Sequence, residues 1–453
     1  MHHISCIRSP RGFTLIEALT LLFIFAVVAA TFFQMYATGT RLIIESKHRL
    51  GATALANQKI EIIRSIDYDT IGTISGIPAG DIPEYETIDV NGVRYRVHTV
   101  VQYVDDAFDG TSGGSPSDAI PNDYKRVRIA VSWGAMGTDQ TAALFTTIAP
   151  LGVETSAGGG VLSINILDAA GFGVPSASVH IVNSAASVDV TIQTDATGNI
   201  TLPGAPAGTQ NYALTASKGG YYGTVTYPPY PTSAYNPVDE HASVAAGVLN
   251  QTSLVMDRYA DITVHSKDPF GTDVPNINFG MKGGKVLGTD PVTSDIVYGY
   301  DQNLTTNASG IEDIADQSYG QYTLTESDAR YELYKLNPEG VTKDVFDAPA
   351  GQTTTTDMIL LDTEIGSVKV AVTNQADTSP IAGASVRLYN TGLGYDTTQT
   401  TDQYGFAYFS TAVTGLAAGT YDMEVSATGF QNDTDTANVG SSLVTQAIQM
   451  TLN

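Results

Sequence analysis

The stretch Arg11-Gly12-Phe13-Thr14-Leu15-Ile16-Glu17 introduces an apolar run from Ala18 to Phe33, broken only by Thr20 and Thr31. With its flanks, the segment from Phe13 to about Thr38 is long enough for one helix to cross a bilayer, which takes roughly 20 residues. Its single ionisable residue is Glu17. A carboxylate within hydrocarbon costs on the order of 2.5–3.5 kcal/mol, so an intramembrane acid points to function. A free α-amino group is its natural partner, and a cut after Gly12 creates one on Phe13. From about Arg41 to Ile66 the helical pattern continues in amphipathic form. Ile43, Leu50, Leu55, Ile60 and Ile63 share one broad apolar face. Arg41, Lys47, Arg49, Lys59 and Arg64 outnumber Glu45 and Glu61 there. The spacing predicts one continuous rod over 13–66, roughly 80 Å long at 1.5 Å per residue.

At these residues the chain resembles the type IV prepilins and the type II secretion pseudopilins. Their signature is a short basic leader ending in Gly, then Phe-Thr-Leu-Ile-Glu and an apolar helix. Here the leader is 1–12, with Arg8 and Arg11. The resemblance implies that a membrane prepilin peptidase cuts between Gly12 and Phe13 and methylates the new amine. It also implies that Glu17 neutralises Phe13 of a neighbouring subunit as the helices pack into a filament. Many type IV pilins carry a Pro in the membrane half of this helix. This chain has none between Phe13 and Gly39, which removes the basis for local melting of the helix during assembly.

The composition points the same way. A chain of 453 residues is too long for one core. Frequent Gly and Pro, with more Tyr than Phe, suit turn-rich β domains better than a helical enzyme. The net charge of −25 makes nucleic acid an unsuitable partner, because phosphate binding needs clustered Lys and Arg. The only cysteine, Cys6, falls in the leader, so the mature chain is expected to have neither disulfide nor catalytic thiol.

A small β head is expected over 85–150. Val93 to Asp105, Tyr124 to Trp133 and Ala143 to Ile148 alternate as strands, forming an antiparallel sheet on the second half of the helix. Trp133, the sole Trp, is expected to anchor its core. Between the first two of these strands, Asp105, Asp106 and Asp109 place three carboxylates within five residues. Such a loop can wrap a hard cation such as calcium or simply be solvated, and both readings stay open. Gly110-Thr111-Ser112-Gly113-Gly114 spells G-x-S-x-G, but it lacks the strand-to-helix context of a nucleophile elbow.

Gly158-Gly159-Gly160 reads as a linker, and beyond it four landmarks recur three times at a period of about a hundred residues. The first is a strand, a turn and a small-residue strand, beginning at Leu162, Ile262 and Val368. The second is a turn: Thr194-Asp195-Ala196-Thr197-Gly198, Thr306-Asn307-Ala308-Ser309-Gly310 and Thr401-Asp402-Gln403-Tyr404-Gly405. Asp or Asn bonds the backbone there, and Gly supplies φ > 0. The third is a Gly followed by a strand containing Tyr212, Tyr322 or Tyr421. The fourth is a Thr-rich closing strand ending near Met256, Leu360 and Met450. Together they resemble the carboxypeptidase regulatory-like, or transthyretin-like, β-sandwich, an immunoglobulin-like architecture that hosts many functions and implies no peptidase chemistry. The related collagen-adhesin B-repeat can carry an isopeptide crosslink, for which Lys267 and Glu326 lie in roughly suitable places. Lys267, however, breaks the inward parity of Ile262 and Val264 and is expected to face outward. The first repeat carries a Pro- and Tyr-rich insertion. Its Tyr221, Tyr222, Tyr227, Tyr230 and Tyr235 either recognise a sugar or protein or cap the core of their own sandwich.

The expected chain is therefore an α+β pilin module followed by three all-β sandwiches. Its divisions are a leader 1–12, a pilin-like unit 13–157, and sandwiches over 158–258, 259–362 and 363–453. No catalytic set is present: the seven His are dispersed, and no metalloprotease or phosphate-loop motif occurs. The expected function is a non-enzymatic, adhesive pilus subunit without a cofactor, apart from the calcium candidate. It would sit in the cell membrane before assembly and in a surface filament afterwards. Its partners would be other pilin subunits, the prepilin peptidase and a host, surface or carbohydrate ligand. The alternatives are a secretion pseudopilin that binds cargo and a membrane-anchored display protein.

Overall fold

The computed structural model describes residues 15–108, 110–111, 115, 122–134, 140–150, 159–412 and 414–453. The main chain opens with one unbroken helix, α1 (Leu15–Arg64). Among the described residues it is the one helix long and apolar enough to cross a membrane. Its threonines do not disturb that character. Thr20, Thr31 and Thr40 donate their hydroxyls to the carbonyls of Ile16, Val27 and Tyr36, four residues back, at 2.8, 3.1 and 2.9 Å. A hydroxyl satisfied within the helix needs no water.

The head is a four-stranded antiparallel meander: β1 (Tyr85–Val90), β2 (Val93–Val104), β3 (Tyr124–Trp133) and β4 (Gln140–Ile148), side by side in chain order. Inward residues of its strands, such as Val97, Val101, Val127 and Ile129, pack on Ala52, Leu55, Ala56, Ile60 and Ile63 of α1. Small residues let the sheet close on the helix: a Cβ added to Gly51 would lie 2.4 Å from the Tyr95 hydroxyl oxygen. Trp133 is buried as expected, lies 6.5 Å edge-on from Tyr95 and donates its indole N–H to Glu45 at 3.2 Å. The apolar face of the helix is shorter than the periodicity suggested. Ile43 and Leu50 are both 72% exposed, because they point away from the sheet, whose apolar core packs on helix residues from Ala52 onward.

Beyond the head the described residues form six sheets that surround three hydrophobic cores. The same pairing recurs in each unit. An opening strand (Gly159–Leu167, Ala260–Lys267 and Ser367–Asn374) lies parallel to the closing strand (Leu249–Val255, Thr353–Asp362 and Leu443–Met450). It is antiparallel to the strand that follows the repeated turn (Asn199–Pro206, Ile311–Gln317 and Phe406–Phe409). A second sheet, built around Ser178–Asn183, Asn278–Thr289 or Ser385–Asn390, closes each sandwich.

The landmarks owe their recurrence to specific bonds. Asp195 accepts the N–H of Thr197 and Asn199 at 2.8 and 2.9 Å. Asn307 accepts those of Ser309 and Ile311 at 2.8 and 3.1 Å, and Asp402 those of Tyr404 and Phe406, both at 3.0 Å. Gly198, Gly310 and Gly405 complete these turns at φ of 80°, 71° and 77°. The preceding Thr194, Thr306 and Thr401 are buried, and their hydroxyls accept the N–H of Ala177, Ile277 and Ala384 on the small-residue strand. Tyr212, Tyr322 and Tyr421 are fully buried. Their hydroxyls donate to the carbonyls of Pro206, Ser318 and Ala417 at 2.6, 2.6 and 2.9 Å, so each ring fills a core while its polar end is satisfied.

Gly159 and Gly160 do not form a linker. Both lie in the first opening strand, where an added Cβ would meet the carbonyl oxygens of Ala205 at 2.4 Å and Ala245 at 2.2 Å. Close backbone approach, rather than flexibility, explains glycine there; Gly158 lies outside the described residues.

Candidate functional sites

The helix is the first candidate. Leu15, Leu22, Phe23, Phe25 and Phe33 stand exposed along it, with none of the described residues packed over them. Gly12 and Phe13 lie outside the described residues. Glu17 follows Leu15 and Ile16 in the first turn of α1.

Of the calcium candidates, Asp109 lies outside the described residues. The Asp106 side chain accepts the N–H of Phe108 at 3.1 Å, while its own N–H donates to Asp123. These carboxylates thus organise the loop backbone that carries Asp105. Among the described residues no group of three or more His, Cys, Asp or Glu could hold a metal. Lys267 faces outward, as its parity required, and pairs with Asp357 at 2.9 Å beside His265; burial pushes the Glu326 carboxyl up.

The tyrosine-rich insertion does more than cap its own sandwich. It first pairs at Thr224–Val225 with the strand Gly208–Ser217. It then crosses, and Asn236–Pro237 adds a short strand to Asn278–Thr289 of the second sandwich. Gly288 admits this crossing, since a Cβ there would sit 2.1 Å from the Asn236 carbonyl oxygen. Asp239 pairs with Lys285 at 2.9 Å. Tyr227 and Tyr235 meet edge-on at 5.6 Å, and burial, with Tyr227 beside it, pushes the Tyr235 hydroxyl up to about 12. The Arg258 guanidinium lies 6.0 Å from the Tyr221 ring, and the Tyr222 N–H donates to Asp257 at 2.8 Å. Of the five tyrosines, Tyr230 is exposed. The second and third sandwiches are joined similarly: Lys369 pairs with Glu332, and the Tyr404 hydroxyl donates to the Gly340 carbonyl at 2.7 Å.

Lys125 was not singled out from the sequence. It is 1% exposed and donates to the carbonyls of Tyr68 and Ile71 at 2.6 and 2.7 Å, tying down the segment after α1. Burial lowers its pKa to about 8. The signal was available, because Lys125 shares the inward parity of Val127, Ile129 and Val131.

Neither a protein-family model nor a curated protein matches the chain. Among solved structures, the chain is similar to the TIE protein of Bacillus anthracis, at 14% identity and a TM-score of 0.21. That match covers 72% of this chain and 59% of the other, so this chain spans about three fifths of its length. A streptococcal ancillary pilin is 12% identical over 65% of this chain and 99% of its own, with a TM-score of 0.19. The shaft pilin of Lactobacillus rhamnosus GG is 11% identical over 44% of this chain and 98% of its own, with a TM-score of 0.17. At such scores none of these likenesses assigns a family or a role.

Proposed function

We propose that this chain is a structural, adhesive subunit of a type IV pilus-like surface filament. The observation that carries the reading is α1: an apolar half with no partner among the described residues of its own chain continues directly into a half that bears the folded head. Exposed apolar surface on this scale needs another medium, first a bilayer and then the helices of other subunits. The segment Gly12-Phe13-Thr14-Leu15-Ile16-Glu17 supplies the processing step. A prepilin peptidase cuts before Phe13 and methylates it, and Glu17 pairs with the amine of a neighbouring Phe13. The units 158–258, 259–362 and 363–453 are three separately folding sandwiches held outward from the filament, with Tyr230 among the residues offered to a surface or carbohydrate ligand. Asp105, Asp106 and Asp109 remain a candidate calcium loop in the head.

Determining the N-terminus of membrane-extracted protein tests this reading. The expected chain begins at methylated Phe13, whereas an intact Met1 overturns the assignment. Labelling cells for this chain should also reveal long surface fibres. Their absence, with processing intact, favours a secretion pseudopilin.

A further inference from the structure

The outer face of the head carries two arginines without an acidic partner among the described residues, in a chain that has 47 Asp and Glu against 22 Lys and Arg. Arg126 and Arg128 alternate with the inward Val127 and Ile129 of β3 and therefore point to the same, outer side. Neither has an ion-pair partner among the described residues, whereas Lys59, Arg94, Lys267, Lys285, Arg330 and Arg387 all do. Across the ladder, Arg128 stands opposite Phe145 and Arg126 opposite Thr147 on the edge strand β4. The Arg128 guanidinium lies 5.9 Å from the Phe145 ring, and that ring is 63% exposed. Arg64, at the end of α1, pairs with the exposed Glu61 at 2.8 Å and reaches the same edge by donating to the Thr146 hydroxyl at 2.8 and 3.2 Å. Arginines around an exposed aromatic are the composition of an interface hot spot rather than of an inert surface.

The charge of the rest of the chain identifies a partner. Residues 159–453 contain ten Lys and Arg against thirty-one Asp and Glu. A lipid headgroup is the other abundant anion, but distance argues against it. Arg64 lies 26 residues beyond Thr38, roughly 39 Å further along the helix at 1.5 Å per residue. Anionic headgroups act over about a Debye length, roughly 8 Å at physiological salt. We propose that Arg64, Arg126, Arg128 and Phe145 form a docking surface for the carboxylate-rich sandwiches of a second copy of this chain. The proposal rests on the filament reading, which brings copies side by side. Complementary potentials of this kind set register and exclude wrong partners.

A photo-crosslinking amino acid in place of Phe145, in the full-length chain in cells, tests it. Membranes and the sheared fraction are scored separately. The expected result is an adduct of twice the chain mass, with the crosslinked peptide lying within residues 159–453. Arg126→Glu with Arg128→Glu should lower its yield about tenfold, while Arg126→Lys with Arg128→Lys should keep most of it. Raising the salt from 0.05 to 0.5 M during crosslinking of isolated membranes should weaken it. Adducts only with lipid, with other proteins or with a neighbour's α1 overturn the proposal, as does a yield that charge reversal leaves unchanged. The filament reading is scored independently by whether the parent chain reaches the sheared fraction at all.

Discussion

The parts of α1 before and after Gly51 both carry large apolar side chains, and these have opposite fates. Before Gly51 its large side chains face outward, Leu50 among them; after it Ala52, Leu55, Ala56, Ile60 and Ile63 are buried under the head sheet. Leu50 and Leu55 are the same residue type, five positions apart on one helix, yet of the two only Leu55 is buried among the described residues. Composition alone therefore does not make a core. On the proposed filament reading the first half is written for surroundings outside this chain, and the second is an ordinary element of a folded domain.

Removing the first half should have the largest effect. A chain beginning at Arg41 is expected to move wholly from the membrane to the soluble fraction, monomeric and with a β-rich circular dichroism spectrum. Aggregation of that protein would mean that the head and sandwiches do not stand alone. Within the soluble chain, Leu55→Ala should cost the head about 2–5 kcal/mol in denaturant unfolding, through lost burial and the cavity left behind. Leu50→Ala should stay within about 0.5 kcal/mol, as exposed positions do. Equal effects at the two sites would erase the distinction between the halves.

Lys125 sharpens the comparison from the folded side, because there a charged group lies where the pattern calls for an apolar one. Lys125→Met removes the Lys125 donor from the Ile71 carbonyl, while the Tyr68 carbonyl keeps the Ile71 N–H, and a buried group that loses its bond costs about 1–3 kcal/mol. The pH dependence has a definite sign. Burial lowers this lysine from 10.5 to about 8. Above pH 8 the folded head therefore releases a proton that the unfolded chain keeps until about 10.5. The unfolded state then binds more protons, and this group's contribution to stability rises across that window. The neutral amine still offers two N–H donors to the two carbonyls. Parent minus Lys125→Met stability should grow between pH 8 and 10.5, and a flat difference would contradict the assignment. A smaller effect than at Lys125 is expected at Tyr322→Phe, which removes one hydroxyl bond to Ser318. It should lower the stability of the second sandwich by about 1 kcal/mol without altering its spectrum.

Much of this was legible in the sequence because it is local. The helix follows from an apolar run without Pro, and the strands of the head from alternation. The three turns follow from Asp or Asn paired with Gly three residues later, and the strands that carry Tyr212, Tyr322 and Tyr421 from the Gly that precedes each. What the sequence hid is how separate bodies meet. Glycine serves flexibility and close approach equally, so Gly159 and Gly160 resembled a linker although each admits a carbonyl oxygen. The tyrosine insertion gave no sign that Asn236 and Pro237 would cross to the second sandwich, since that pairing depends on Gly288, some fifty residues away. The amphipathic pattern likewise placed Ile43 and Leu50 on the apolar face, but periodicity does not say where the covering sheet ends.

The claim that the first half of α1 is written for other subunits is tested most directly at Glu17. The measurement is the ratio of chain sheared from cells to chain retained in membranes, for the parent and for Glu17→Ala. Removing one member of a buried ion pair costs about 3–5 kcal/mol because the other is left unpaired. The variant should therefore be inserted and cut before Phe13 like the parent, yet be nearly absent from the sheared fraction. Equal shearing of the two proteins would show that the carboxylate is no assembly contact and that the helix is a plain anchor.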